Sequence, residues 1–201
     1  MALSKIDIAN MVTGATPVAN GGTGLTSGTT NQFLKFTGST TLASSADNVG
    51  KLGQIINMET TTATVTTSQT FADTNITASI TPSATSSKIL IFITDSCQVN
   101  FNGTNNDQGM AFRIKRTIGG SAATLVTDDE PYQGFYSSLG STNMSNQRGH
   151  KHLHYVDATH NTTGAITYMH QIASYRGNDG ASSASVHNGN RGNMTLIEVL
   201  A

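Results

Sequence analysis

Residues 88–94 read Lys-Ile-Leu-Ile-Phe-Ile-Thr, and this run is the strongest fold signal in the chain. It holds five consecutive large apolar residues and follows the stretch Thr-Pro-Ser-Ala-Thr-Ser-Ser at 81–87. Proline and clustered hydroxyl side chains favour a turn there, because they supply local hydrogen bonds. We therefore predict a strand that is covered on both faces and lies at the centre of a β-sandwich.

The sequence on either side of this run also reads as short strands. Eleven of the thirty residues at 58–87 are threonine, and Val65, Phe71, Ile76 and Ile80 are spaced among them as inward-facing positions. Residues 111–118 alternate between apolar and polar side chains, and Gly119-Gly120-Ser121 predicts a hairpin turn into residues 123–127.

Three further strands are predicted towards the C-terminus, at 147–157, 165–175 and 194–201. If the loop near residues 160–161 makes a hairpin of the first two, His152 lies opposite His170 and His154 opposite Tyr168. No helix signal of useful length occurs after residue 53. The fold class is mainly β, with a jelly-roll-like β-sandwich head over residues 54–201.

The composition narrows the functional class. Only 11% of the residues are charged and the net charge is −1, so the chain has no electrostatic footprint for nucleic acid. No apolar run approaches membrane-spanning length, so no membrane insertion is expected. The single cysteine, Cys97, excludes an intrachain disulfide framework and fits assembly in a reducing cytoplasm.

The N-terminal quarter has a different character. Residues 17–28 read Pro-Val-Ala-Asn-Gly-Gly-Thr-Gly-Leu-Thr-Ser-Gly, a stretch that one chain cannot fold alone because glycine loses the most backbone entropy on ordering. A segment of this kind is either a disordered linker or a shaft that buries its few apolar groups between chains. We take residues 17–53 as a shaft and neck, and residues 1–16 as a separate short helix or extended arm. The shaft residues expected to be buried between chains are Val18, Leu25, Phe33, Phe36 and Leu42.

Four stretches resemble bacteriophage tail fibres and receptor-binding proteins. The glycine-rich segment 17–35 is similar to their shaft motif, and Ile-Thr-Pro-Ser-Ala-Thr-Ser-Ser-Lys-Ile-Leu at 80–90 resembles a strand entry of their heads. Residues 154–168 and 194–199 resemble their later hairpin and terminal strand, although 158–160 departs from the usual Ser-Pro step. The resemblance implies a glycine-rich trimeric shaft and a tumour-necrosis-factor-like head.

The same resemblance implies a role in the virion. The expected partners are two further copies of the chain, a tail or baseplate protein bound by residues 1–16, and a host surface polysaccharide or outer-membrane protein bound by the head. Two alternatives remain, a structural baseplate or neck decoration without receptor binding and a host-polysaccharide depolymerase. The sequence names neither the host nor the receptor.

The densest group of chemically active side chains is a run of alternating histidines. His150, His152 and His154 point to one side of a strand, and three copies around a threefold axis offer imidazoles to a transition metal. No cysteine or carboxylate completes a ligand set, so a polar subunit interface is the favoured interpretation. No metal or other cofactor is expected.

An enzyme is disfavoured. Gly21-Gly-Thr-Gly24 follows no strand and lacks a lysine, Asp128-Asp-Glu130 has no second carboxylate to work with, and no nucleophile motif is present. Loops rich in asparagine, glycine and serine are the expected receptor-binding surface. The candidate residues in and beside them are Tyr132, Phe135, Tyr136, Asn102, Asn105 and His187.

Overall fold

The computed structural model describes residues 28–30, 32–39, 41–45, 51–101, 107–127, 134–138, 146–175, 183–187 and 190–200. The chain divides into two compact units, Met1–Val49 and Gly50–Ala201. Within the described ranges every regular element is a β-strand, so the chain is mainly β as predicted. No helix in these ranges is long and apolar enough to cross a membrane.

The first unit contains a small antiparallel hairpin. Strands β1 (Phe33–Phe36) and β2 (Leu42–Ser45) pair, with Phe33 opposite Ser45 and Phe36 opposite Leu42. Phe33, Leu34 and Phe36 are each more than half exposed, because successive side chains of a strand point to opposite faces and this hairpin covers neither face. Two of the predicted shaft residues, Val18 and Leu25, lie outside the described residues.

The second unit is a sandwich of two antiparallel sheets. The first sheet contains six strands: β3 (Leu52–Thr60), β4 (Thr64–Thr66), β6 (Lys88–Asn100), β10 (Asn146–Asp157), β12 (Ser183–Val186) and β13 (Gly192–Val199). The second contains five: β5 (Ala72–Ile80), β7 (Asp107–Ile118), β8 (Ser121–Thr127), β9 (Phe135–Ser138) and β11 (Ile166–Ser174).

Strand β6 is the centre of the first sheet. β10 pairs with one edge of β6 over residues 89–100. β13 and β12 pair with the other edge of β6. β3 then pairs with β13, and β4 pairs with β12. The eight longer strands therefore form two groups in the orders β3-β13-β6-β10 and β5-β11-β7-β8. The chain crosses between the sheets as it does in a jelly roll, which confirms the predicted fold class.

The core lies between the two sheets and follows the alternation of each strand. On β6 the side chains of Ile89, Ile91 and Ile93 are buried, whereas Leu90 is half-buried and Phe92 is 45% exposed. The prediction that this strand is covered on both faces was therefore wrong, because the second sheet covers only its inner face. The other fully buried large side chains of the core include Ile76, Phe112, Ile114, Ile166, Tyr168, Ile172 and Met194.

Two local predictions have opposite outcomes. Gly119 and Gly120 have φ angles of 53° and 86° and join β7 to β8 as predicted, because a two-residue hairpin turn with positive φ at both positions favours glycine. Val65 was predicted to face inward but is 60% exposed. It lies on the short strand β4, where the neighbouring Thr66 takes the inward position instead.

The predicted hairpin between residues 147–157 and 165–175 is wrong. Both segments are strands, but β10 pairs with β6 in the first sheet and β11 pairs with β5 and β7 in the second. The connection at 158–165 therefore crosses from one sheet to the other. His152 lies opposite Thr94 and His154 opposite Phe92, so neither histidine faces His170 or Tyr168 across a strand pair.

Candidate functional site

The outer face of the first sheet carries the three alternating histidines. His150, His152 and His154 are exposed on β10, opposite Ser96, Thr94 and Phe92 of β6. Nδ1 of His152 lies 3.1 Å from Oγ1 of Thr94, which holds this imidazole against the sheet. The three side chains therefore form a column along one edge of the sheet, on its solvent side.

This column does not make a metal centre within one chain. Among the described residues, no group of three or more histidine, cysteine, aspartate or glutamate side chains is arranged to hold a metal.

The same face changes from apolar to polar along its length. At one end Ile55, Ile197, Leu90 and Val156 form a continuous row across β3, β13, β6 and β10. At the other end a pocket of about 150 Å³ is lined by Ser96, Cys97, Gln98, Arg148, Gly149, His150 and Asn190. One sheet face thus combines an exposed apolar row with a polar pocket, and these are its two candidate contact sites.

The predicted receptor-binding residues differ in how exposed they are, and some lie outside the described residues. Tyr136 is 46% exposed on β9, where its ring meets Tyr175 edge-on and its hydroxyl lies 3.4 Å from a carboxylate oxygen of Asp107. Phe135 is half-buried and packs against the core. Tyr132, Asn102 and Asn105, together with the acidic residues 128–130, lie outside the described residues.

His187 requires a correction. It was predicted on a receptor-binding loop, but its side chain is fully buried. Its Nδ1 lies 2.7 Å from one carboxylate oxygen of Asp95, and Nδ1 of His170 lies 3.2 Å from the other. These are ion-pair distances, but the contacts do not have the geometry of well-formed hydrogen bonds, so we treat this buried cluster as an electrostatic one.

The Asp95 cluster joins the two sheets inside the core. Asp95 is on β6, His170 is on β11 and stacks on Phe112 with the ring centroids 5.6 Å apart, and His187 follows β12. Burial by itself raises the pKa of the Asp95 carboxyl, but the contacts with His170 and His187 outweigh it and leave that pKa below its ordinary value. The cluster therefore favours an ionised carboxylate in a site without solvent.

The sequence contains a signal for this buried cluster, in the alternation of side chains along β6. Asp95 has the same parity as Ile89, Ile91 and Ile93, so the alternation along β6 places a carboxylate on the inner face. A buried carboxylate needs partners, and the histidines at 170 and 187 were candidates. The sequence does not predict the pairing itself, because His170 lies on β11 and His187 follows β12.

A second buried carboxylate belongs to Asp157, the last residue of β10. Arg116 Nη1 donates to both of its oxygens at 2.9 Å, and the Tyr168 hydroxyl donates to Oδ2 at 2.7 Å. The backbone N–H of Thr159 donates to Oδ1 at 2.9 Å. Burial raises the pKa of Asp157, but the bonds from Arg116, Thr159 and Tyr168 outweigh it and lower that pKa overall.

Cys97 is buried on the inner face of β6 and is not a reactive thiol. Burial, together with the nearby carboxylate of Asp95, raises the pKa of its thiol to about 12. A thiol with so high a pKa is almost wholly protonated at neutral pH, whereas the thiolate is the nucleophile and the metal ligand. This residue belongs to the packing of the core.

Comparisons with known proteins add the following. No protein-family model matches the chain, and no curated protein matches it. Among solved structures it is similar to the VP2 subviral particle of infectious bursal disease virus, with 14% identity, a TM-score of 0.35, and coverage of 83% of this chain and 41% of that one.

Structures of two strains of the same virus are similar to the same extent. The Gx strain has 13% identity, a TM-score of 0.40 and coverage of 83% of this chain and 40% of that one. The Gt strain has 14% identity, a TM-score of 0.33 and coverage of 83% and 42%. The chain thus spans less than half the length of each viral chain, and similarity at this level transfers no function to it.

Proposed function

We propose that the chain is a subunit of a homotrimeric tail fibre of a bacteriophage virion. Residues 1–16 attach it to the tail or baseplate, and the jelly-roll head contacts a host surface polysaccharide or outer-membrane protein during adsorption. The head performs no catalysis in this proposal. Support comes from the sequence resemblance and from the fold, because jelly rolls are common in viral coat and lectin domains.

The observation that carries the proposal is the apolar row on the outer face of the first sheet. Ile55 is 58% exposed and Val156 is 50% exposed, with Leu90 and Ile197 half-buried between them. Phe92, in the next row, is 45% exposed. Contiguous exposed apolar surface of this kind marks contact sites between proteins.

Copies of the same chain are the partner that best explains this surface. The hairpin of the first unit also leaves Phe33, Leu34 and Phe36 more than half exposed, so each unit separately presents apolar surface to a partner. One assembly of identical chains covers both surfaces at once, whereas a foreign partner has to match two unrelated ones. The number of three chains comes from the resemblance to phage fibres.

The first prediction concerns assembly. Ile55→Asp places a charge in the middle of the proposed contact, and it is tolerated in a single chain because the side chain points to solvent. We expect the trimer to dissociate at least about tenfold more readily, since burying an unpaired carboxylate is strongly unfavourable. Sedimentation equilibrium of the full chain measures the change.

Ala122→Asp is the matched control for this prediction. Ala122 is an exposed position on β8, in the other sheet, so the same charge there should leave the trimer intact. Circular dichroism of both variants checks that the β-sandwich still folds. A wild-type chain that sediments as a folded monomer contradicts the proposed assembly, and so does an Ile55→Asp variant that remains fully trimeric.

The second prediction concerns adsorption. Tyr136→Ala removes an exposed aromatic ring beside Tyr175, and aromatic rings are common anchors for sugars and protein epitopes. We expect adsorption of phage particles to host cells to fall by about tenfold, because three copies per fibre magnify a weak contact. Val65→Ala, which truncates an exposed side chain of the first sheet, is the control.

The two alternatives give different results with the same material. A structural decoration protein leaves adsorption unchanged in every head variant but loses assembly into particles when residues 1–16 are altered. A depolymerase releases soluble fragments from purified host polysaccharide. The proposed fibre instead retains host polysaccharide or envelope protein on immobilised trimer without releasing product.

A further inference from the structure

The polar pocket on the outer face of the first sheet has the chemistry of a ligand site. It lies between β6 and β10, at Ser96–Gln98 and Arg148–His150, and is closed on one side by Asn190. Ser96 is six residues beyond Leu90 on β6, roughly 20 Å at about 3.3 Å per residue. The pocket is therefore separate from the apolar row proposed as the contact between chains.

Arg148 is the charged group of the pocket, and its position is set by its neighbours. Its Nε donates to Oε1 of Gln98 at 2.7 Å, and Nε2 of Gln98 donates to Oδ1 of Asn100 at 2.6 Å. With the Nε atom fixed, the planar guanidinium presents its two terminal nitrogens as a pair of donors. Within the described part of the chain, those two nitrogens have no recorded hydrogen bond or ion pair.

A second polar group in the pocket has no hydrogen-bond partner among the described residues. Ser96 is 6% exposed, and its hydroxyl makes no hydrogen bond to any other residue that the structure describes. Buried hydroxyl groups in proteins are nearly always satisfied, by protein, by water or by a ligand. This hydroxyl supplies a donor or an acceptor in the same pocket as Arg148.

The charge of the lining selects the ligand. Among the residues that the structure describes, the lining includes Arg148 and His150 and no carboxylate. Asp95, the acidic residue nearest in sequence on β6, belongs to the inner face of the sheet and is occupied by its histidines. A volume of about 150 Å³ is below the 300–1,000 Å³ typical of pockets for drug-sized ligands, so the pocket fits one small unit.

The geometry points to a binding site for a single anionic sugar unit, one that carries a carboxylate or a phosphate. The guanidinium of Arg148 pairs with the anionic group, because it presents two parallel donors. Ser96 and Asn190 line the space that the sugar hydroxyls occupy. That this sugar unit belongs to a host surface glycan rests on the proposed function. The binding of the sugar by the pocket does not.

A second surface pocket shows why this one is distinctive. It is lined by Glu59, Thr60, Thr61 and Arg191 and also contains an exposed arginine. There Arg191 Nη1 already donates to Glu59 Oε2 at 2.9 Å, so the local charge is balanced. Arg191 is therefore the matched control for Arg148.

Ligand-observed NMR of the full-length purified protein tests this site, with glucuronic acid, glucose 6-phosphate, glucose and inorganic phosphate as the four probes. We expect glucuronic acid, glucose 6-phosphate or both to bind, and glucose and inorganic phosphate to bind at least about tenfold more weakly. Whichever anionic sugar binds identifies the anionic group. Binding should weaken with added salt.

Variants then locate the site. Arg148→Gln should weaken binding of the anionic sugar about tenfold or more, Arg148→Lys should weaken it less, and Arg191→Gln should leave it unchanged. Equal binding of glucose and the anionic sugars, inorganic phosphate as strong as glucose 6-phosphate, no binding at all, or an unaffected Arg148→Gln variant each overturn the inference. Adsorption assays are separate, so a protein that binds the sugar but not cells contradicts only the proposed function.

Discussion

Asp157→Ala is expected to lower the free energy of unfolding by about 3–5 kcal/mol. The carboxylate is fully buried and Arg116 beside it is only 14% exposed, so removal of the acid leaves a largely desolvated guanidinium without its counter-ion. The Tyr168 hydroxyl loses its acceptor as well. Urea unfolding followed by circular dichroism measures the change, at one fixed protein concentration because an oligomer's stability depends on concentration.

The pH dependence of this effect has a definite sign. The pKa of Asp157 is lower in the folded protein than its ordinary value of 3.8, so the unfolded chain binds the proton more readily. The stabilisation is therefore complete above that value and is lost as the pH falls below it, towards the folded pKa. The difference between the wild type and Asp157→Ala should shrink in acid below 3.8 and stay constant near neutral pH.

An exposed ion pair provides the control for the Asp157 variant. Arg191 and Glu59 are also 2.9 Å apart, but their side chains are 75% and 48% exposed. Glu59→Ala should change the free energy of unfolding by no more than about 1 kcal/mol, because water screens such a pair. An Asp157→Ala variant no less stable than Glu59→Ala contradicts the role assigned to the buried network.

Asp95→Ala is expected to destabilise the protein by a similar amount, about 3–5 kcal/mol. It removes the acidic member of a cluster in which all three side chains are at most 1% exposed. The two imidazoles then lie in the core without the carboxylate, and the alanine also leaves a cavity between the sheets. Gly192 packs directly against the His187 ring, so the ring has little freedom to move to a new partner.

A double-mutant cycle with His187→Ala separates the contact between Asp95 and His187 from the effect of the cavity. If the contact contributes as proposed, the sum of the losses of unfolding free energy in the two single variants should exceed the loss in the double variant by about 0.5–3 kcal/mol. Strictly additive losses contradict an energetic contact between Asp95 and His187 and leave packing as the whole effect. The same cycle with His170→Ala tests the longer, 3.2 Å contact.

The local predictions that succeeded depend on neighbours in the sequence. The two glycines at 119 and 120 adopt positive φ angles, and the alternation at 111–118 places Phe112 and Ile114 in the core. Each outcome needs only the period of the strand or the conformational freedom of glycine. The predictions that failed concern which strand pairs with which, as with the expected hairpin of β10 and β11.

The candidate sites show the same division. The exposure of His150, His152 and His154 on one side of β10 follows from their spacing, but the neighbours of that column come from β6. The pocket joins residues of β6 and β10 with Asn190, which lies between β12 and β13. No spacing in the sequence indicates that residues 96, 148 and 190 meet.

By itself the sequence determined the class of the chain: strands where side chains alternate and a tight turn at paired glycines. Those properties are local, because they depend on backbone conformation and on the period of side chains along one strand. Only the tertiary structure decided that Asp95 and His187 are buried together, that Phe92 is exposed, and that β10 and β11 lie in different sheets. Pairing and burial arise from contacts between distant residues, and the free energy of those contacts is realised only when the two sheets pack.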